Sequence, residues 1–296
     1  YVDASANLTL TNCTVTGGGA TDGGNIYALG LLTISGGEIA DGTATQEGGN
    51  IYTTGLNMTD GTVSGGVGAS YGGSIYLSGD SEISGGLIKD GVSTSTSRSG
   101  GNICVSGKST LTITGGTISG GRGYNGGNIY SNKVADAANK AVTVNVKGIV
   151  TLGEAVAVEG DTSNNKNMAG NIFCANTLSI SGAVTDGKAF DGGNLYTRNW
   201  IDISGTVSGG QATSRGGNIF ASASTVQLHA GAKVQNGKAD KGGNILSAGN
   251  VIVKANAEIS GGEAAVGSNV YVNKTATLNI AGGTIADQDT TVYYAQ

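Results

Sequence analysis

Apolar and polar positions alternate in short runs along the whole chain. Two examples are Leu32-Thr33-Ile34 and Leu111-Thr112-Ile113, each followed by a hydroxyl residue, two glycines, one polar residue and Ile. An apolar side chain at every second position is typical of a β-strand with one buried face. These runs therefore predict short strands that are separated by glycine-rich corners.

A second motif recurs at a regular interval and consists of Gly-Gly-Asn, an aliphatic residue and usually an aromatic one. Its first copy is Gly23-Gly24-Asn25-Ile26-Tyr27. Successive copies are 23 to 28 residues apart, with one exception of 43 residues. The third residues of the ten copies are Asn25, Asn50, Ser74, Asn102, Asn128, Asn171, Asn194, Asn218, Asn244 and Asn269.

A repeat of this length predicts an all-β solenoid in which each unit forms one coil with three short strands. Propeller blades need ~40–50 residues, and the consensus of leucine-rich repeats is missing. We therefore predict a parallel β-helix of about 10–11 coils. The prediction treats 1–296 as a single domain, with an insertion or irregular coil within 131–169.

Each position in the repeat has a predicted role. The aliphatic residue of each Gly-Gly-Asn motif points inward, and the Asn side chains form a hydrogen-bonded ladder that Ser74 interrupts. By alternation, the aromatic residue points outward and forms an external ladder. Exposed rings can stack on sugars or a partner, or simply on one another. The candidate binding residues are Tyr27, Tyr52, Tyr76, Tyr130 and Tyr196, with Tyr71 and Tyr124 just before the adjoining corners.

Composition and charge exclude several classes of protein. The chain has 55 Gly and no Pro among 296 residues, and only 12% of its residues are charged. Collagen needs Pro and a strict Gly period, and a charge-rich disordered tail needs far more charge. The net charge of -5 and the lack of a Lys/Arg cluster argue against nucleic acid as a partner. No apolar run is long enough for a membrane span.

Candidate catalytic and metal-binding residues are few. Asp41, Asp90, Asp186 and Asp287 occupy one equivalent corner, but in coils that are not adjacent, so we interpret them as turn residues. The only histidine, His229, is in an outward phase and is predicted to be a solvated surface residue. Cys13, Cys104 and Cys174 lack the spacing of a zinc site, which predicts free thiols. We expect no cofactor.

The two motifs together resemble the right-handed parallel β-helix repeats of bacterial and archaeal surface proteins. They are most similar to adhesin-like proteins with Gly-Gly-aliphatic repeats, including the polymorphic outer-membrane protein type. This resemblance implies a non-enzymatic, extracellular module on the cell surface that is adhesin-like or builds a surface layer or filament. Its partners would be further copies of itself, or a glycan or protein of a host or cell surface. Since the chain begins at Tyr1, we expect a processed or excised segment. The alternative is a polysaccharide lyase or hydrolase of the β-helix type, or a glycan-binding module.

Overall fold

The computed structural model describes residues 1–97, 99–106, 109–131, 143–157, 167–223, 225–286 and 292–295. All regular elements in these ranges are strands. They stack as a parallel β-solenoid of about ten turns of roughly 25 residues, which confirms the predicted fold class. The described residues contain no helix that is long and apolar enough to cross a membrane.

Each turn has four faces, which we number in chain order from the Gly-Gly-Asn corner. In two turns a single strand, Ile26–Ala40 or Ile51–Ser64, covers faces 1 to 3. The other strands of face 1 are Ile75–Leu77, Ile103–Val105, Ile129–Ser131, Ile172–Cys174, Leu195–Thr197, Ile219–Ala221, Ile245–Ser247, Val270–Val272 and Val292–Tyr294.

Faces 2 and 3 contain the Leu-x-Ile runs and the apolar residue that follows them. The strands of face 2 are Leu8–Leu10, Ser81–Ile83, Thr110–Ile113, Thr143–Val146, Thr177–Ile180, Ile201–Ile203, Val226–Leu228, Val251–Lys254 and Leu278–Ala281. Those of face 3 are Cys13–Thr16, Leu87–Lys89, Thr117–Ser119, Ile149–Thr151, Ala183–Thr185, Thr206–Ser208, Lys233–Gln235, Glu258–Ser260 and Thr284–Ile285.

Face 4 is a fourth short strand that the sequence pattern did not predict. It lies in the polar segment of eight units, forms a separate eight-stranded sheet and continues as isolated bridges at Lys238, Lys241, Glu263 and Val266. Its inward positions hold small residues such as Ala44, Gly68 and Ser93, so the segment lacks the apolar alternation that signals a strand. Its strands are Gly19–Ala20, Thr43–Ala44, Val67–Gly68, Val92–Ser93, Arg122–Gly123, Glu154–Ala155, Lys188–Asp191 and Gln211–Arg215.

Register is kept from turn to turn, including the turn with the 43-residue interval. Ile129 pairs directly with Ile172, so the two copies of the motif on either side of that interval lie on adjacent turns. Thr143–Val146 and Ile149–Thr151 occupy faces 2 and 3 in normal register. The rest of the predicted insertion, at 132–142 and 158–166, lies outside the described residues.

The interior of the rod is an aliphatic core built from columns of equivalent residues. In face 1, the column that starts with Ile51, Ile75 and Ile103 is fully buried, as predicted. The columns of faces 2 and 3 continue this core, and they include the buried Leu32, Ile34 and Ile39. Burial of each such side chain contributes roughly 1.5–3 kcal/mol.

The predicted Asn ladder lies at the corner before face 1. Asn25 Nδ2 donates to Asn50 Oδ1 at 2.8 Å, and the same bond links every successive pair from Asn102 to Asn269 at 2.6–2.7 Å. Ser74 interrupts the ladder as predicted, and its buried hydroxyl has no hydrogen-bond partner. Each of these Asn–Asn bonds ties one turn to the next.

Two corners explain why so many glycines are needed. Gly48 has φ +63°, and a Cβ on Gly49 would lie 2.2 Å from the carbonyl oxygen of Gly73 on the next turn. The first glycine thus supplies a left-handed conformation and the second a close approach between turns. At the corner between faces 3 and 4, Asp41 and Asp90 also have φ of 55°.

Candidate functional site

The outward residues of face 1 form a continuous column, which we call the aromatic ladder. Ring centroids are 4.6 Å apart for Tyr27 and Tyr52, and 4.8 Å apart for Phe173 and Tyr196. From Tyr76 to Tyr271, the side chains of this column form a hydrophobic cluster that is separate from the inner core. The ladder consists of Tyr27, Tyr52, Tyr76, Cys104, Tyr130, Phe173, Tyr196, Phe220, Leu246, Tyr271 and Tyr293.

The side chains of the ladder point away from the core, as expected. The prediction that its rings are exposed is wrong for Tyr130 and Tyr196. Tyr130 and Tyr196 are only 4% and 5% exposed. Each has a neighbouring ring on both sides, stacked in every case except Phe220, which meets Tyr196 edge-on. Met168, Ala169 and Ala175 pack in the same cluster. Tyr27, Tyr52 and Tyr76, by contrast, are half-buried and keep an accessible edge.

The two tyrosines next to the corners have different surroundings. Tyr71 leans into the gap that Cys104 leaves in the ladder, with its ring 6.3 Å from Tyr76 and 6.5 Å from Tyr130. Tyr124 is buried and lines a cleft beside face 4, together with residues such as Arg122. Tyr71 therefore belongs to the ladder surface, whereas Tyr124 belongs to a separate one.

One end of the ladder is acidic. Asp22 and Glu47 precede two successive Gly pairs, beside the half-buried rings of Tyr52 and Tyr76. Burial raises the pKa of Glu47, and the charge of Asp22 raises it further, while a hydrogen bond from Tyr76 lowers it. Burial also raises the pKa of Tyr52 and of Tyr76. At this end of the ladder, the Glu47 carboxyl group therefore lies partly buried beside the tyrosine rings.

The other end of the ladder contains a groove of about 460 Å³, which we call the basic groove. Its floor is Tyr196, Phe220, Leu246 and Tyr271, on four successive turns. One wall is the column of residues before the Gly pairs: Met168, Asp191, Arg215 and Lys241. The other wall is the column of residues after face 1: Arg198, Ser222, Ala248 and Asn273.

Arg215 is held in place from two directions. Its Nε donates to Asp191 Oδ1 at 3.0 Å and its Nη2 to Asp191 Oδ2 at 2.6 Å. Its guanidinium also lies 4.2 Å from the centroid of the Phe220 ring, a cation–π distance. The bonds to Asp191 raise the pKa of Arg215. A fixed guanidinium with N–H groups to spare is suited to binding an anion.

Arg198 and Lys241 supply the remaining positive charge of the groove. Arg198 is exposed, and its guanidinium carbon lies 5.6 Å from the Phe173 ring and 5.9 Å from the Tyr196 ring. Lys241 is exposed on the opposite wall. Sequence reasoning missed these cations because they are scattered over about 45 positions and form no cluster until the turns stack.

His229 lies on the outer surface of face 2 as predicted, but within a hydrogen-bonded cluster. Its Nε2 is 2.7 Å from Asp202 Oδ1, and Lys254 Nζ is 3.3 Å from its Nδ1. Since an ammonium group only donates, we assign the imidazole proton to Nε2, where it is donated to Asp202. Trp200 Nε1 donates to the other carboxylate oxygen at 2.6 Å, and Gln227 Nε2 donates to Oδ1 at 2.9 Å.

The corner aspartates and the cysteines have structural surroundings. Asp41, Asp90 and Asp186 all have positive φ, as expected of turn residues, and Asp287 lies outside the described residues. In the part of the chain that the structure describes, no three His, Cys, Asp or Glu side chains are grouped so that they could hold a metal ion.

The three cysteines are free thiols, as predicted. Cys104 and Cys174 are fully buried, and burial raises the pKa of Cys174 to about 11 and that of Cys104 well above its usual range. Such thiols are packing residues and not reactive ones.

No protein-family model, no curated protein and no solved structure matches the chain.

Proposed function

We propose that the chain is a non-enzymatic, extracellular surface module of the adhesin-like class, whose binding surface is the aromatic ladder. The observation that carries this proposal is that a column of mostly aromatic side chains, interrupted at Cys104 and Leu246, runs along the rod and is flanked by charged residues that differ from turn to turn. A rigid rod with such a column presents an extended surface to a long ligand or to a cell surface.

The way in which each turn uses its polar groups supports the same proposal. Asn amides, corner glycines and buried strands hold the turns in register and are not available for chemistry. The side chains that vary between turns, such as Glu47, Arg198 and Lys241, lie beside the ladder on the outside. Variable outer side chains on a constant frame are the arrangement that repeat proteins use for binding.

The proposal is tested by retention and cleavage assays on the same polysaccharides. The purified chain is immobilised on beads, and a panel of fluorescent polysaccharides is assayed for retention and for new reducing or unsaturated ends. We expect retention without new ends. In the organism that makes the protein, antibodies should label intact cells. Labelling only after permeabilisation, or catalytic release of sugar ends, would contradict the proposal.

A second candidate function, a polysaccharide-active enzyme, is favoured by one observation. Asp202 and His229 are hydrogen-bonded beside the exposed ring of Trp200, and an acid–base pair next to an aromatic ring suits a sugar substrate. This candidate predicts sugar-end release that Asp202→Asn abolishes and that the exposed face 2 variant Asn279→Asp leaves unchanged. Retention without release in the native chain would eliminate it.

A further inference from the structure

We propose that the basic groove binds the carboxylate-bearing sugar units of an acidic polysaccharide. This names the ligand class for the proposed surface module and therefore rests on that proposed function. Three features of the groove carry the inference: its charge, its shape and the break in the ladder that forms its floor.

The charge of the groove is opposite to that of the whole protein. The chain has a net charge of -5, yet Arg198, Arg215 and Lys241 meet here with a single carboxylate, Asp191. Asp191 is already neutralised by Arg215, so two cations remain without an ion-pair partner among the described residues. An anionic ligand would neutralise these two positive charges.

Arg215 is the residue of the groove that is best positioned to bind a carboxylate. Two of its five N–H donors bond to Asp191, and the stack on Phe220 fixes the plane of the guanidinium. The entropy of ordering this side chain is therefore paid before a ligand arrives, and preorganised donors bind more tightly than mobile ones. Guanidinium groups favour the planar geometry of carboxylates.

The floor of the groove suits a ring. Phe220 and Tyr271 lie two turns apart, about 10 Å, and the residue between them is Leu246 instead of an aromatic one. Leu246 is smaller than an aromatic ring and gives the groove an apolar floor between Phe220 and Tyr271, on which the C–H face of a sugar can pack. At Cys104, the other position without a ring, Tyr71 leans over the gap in the ladder. At Leu246, by contrast, the residues at the edge of the groove are Arg215 and Lys241.

The shape of the groove favours a chain over a compact ion. Floor and walls are three parallel columns that continue over four turns, so the groove follows the rod axis for about 14 Å. Its volume lies in the range of sites for small organic ligands. Ser222 and Asn273 on one wall add hydrogen-bonding groups that suit hydroxyls. A linear saccharide with repeated carboxylates suits all three columns: its rings suit the apolar floor, its carboxylates suit the cations, and its hydroxyls suit Ser222 and Asn273.

Binding of oligogalacturonate to the purified chain, measured by calorimetry, tests the proposal. The matched control ligand is the methyl-esterified oligomer, which keeps the rings and loses the charge. We expect the ester to bind at least roughly tenfold more weakly, as for loss of a charge-assisted contact. Equal binding of acid and ester, or no binding of the acid, would overturn the proposal.

Two variants assign the binding to this groove. Arg198→Ala with Lys241→Ala removes two exposed cations and should weaken binding at least roughly tenfold, whereas Lys147→Ala, an exposed lysine after face 2, should not. Leu246→Phe restores the missing ring and should lower affinity without lowering the melting temperature. Native affinity in both groove variants would refute the assignment.

These outcomes separate the inference from the function on which it rests. If the chain labels the cell surface and retains neutral polysaccharides but not the acidic oligomer, only the inference fails. If the acidic oligomer is bound and then cleaved, the ligand class stands and the non-enzymatic function fails.

Discussion

Asn128 and Asn171 are 43 positions apart in the sequence, yet the side-chain amide of one donates to the other at 2.7 Å. The bond spans a single turn of the rod, as every other bond of the Asn ladder does. The extra residues between them therefore do not interrupt the stacking, because the corner Asn and the strands of faces 1 to 3 keep their register.

Asn171→Ala should destabilise the protein strongly. Asn171 Oδ1 accepts from Gly153 N–H and from Asn128, and its Nδ2 donates to the Thr185 carbonyl and to Asn194. Alanine removes all four bonds in a buried site, which costs about 2–4 kcal/mol. Chemical denaturation measures the change in the free energy of unfolding.

The control for that variant is Asn279→Ala, on the exposed surface of face 2. Surface substitutions of this kind change stability by about 0.5 kcal/mol or less. Equal effects at Asn171 and Asn279 would contradict a structural role for the ladder.

Ser74→Asn should stabilise the protein by repairing the ladder. Asn50 and Asn102 each lack one partner at this turn, and the Ser74 hydroxyl is buried without a hydrogen bond. An asparagine there can bond to both neighbours, and each such bond contributes about 1 kcal/mol. Thermal unfolding should show a higher midpoint than for the native chain.

Ser74→Ala is the matched comparison for the repair. It removes the unpaired hydroxyl but adds no rung, so it should be less stabilising than Ser74→Asn. The reverse order of stability would mean that the corner of this turn cannot accept the larger side chain.

Glu47→Gln should raise stability at neutral pH and lose this advantage in acid. Because the pKa of Glu47 is raised in the folded state, its contribution to stability is fully present below the usual pKa of 4.5 and falls as pH rises through the folded value. Glutamine carries no charge that could be desolvated or repelled by Asp22. The unfolding midpoints of the native protein and of Glu47→Gln should be similar at about pH 3.5. As the pH rises to about 7.5, the midpoint of the variant should become the higher of the two. Parallel curves for the two proteins would contradict this assignment.

Thiol labelling should distinguish one cysteine from the other two. Cys13 is partly exposed, whereas Cys104 and Cys174 are buried with raised pKa values. A maleimide reagent should therefore modify Cys13 in the folded protein and all three after denaturation. Rapid labelling of Cys174 under native conditions would show that the turn around it opens.

Sequence alone determined the repeat and, through it, most of the rod. Leu-x-Ile runs report buried strand faces, and the constant spacing of the Gly-Gly-Asn motif reports which residues stack. The Asn ladder, its break at Ser74 and the outward side of Tyr27 follow from these local patterns. Face 4 escaped prediction because its inward residues, such as Ala44 and Gly68, are too small to produce an apolar period.

Tertiary structure decided which outer side chains meet and how far each is buried. Tyr27 and Tyr130 occupy the same position in the repeat, but only Tyr130 is enclosed, since its exposure depends on the residues of adjacent turns. Arg198, Arg215 and Lys241 likewise come together only after stacking. The backbone register follows from one sequence period, because the same local pattern is repeated in every turn. A surface site depends on side chains from several turns, and these side chains differ from one turn to the next.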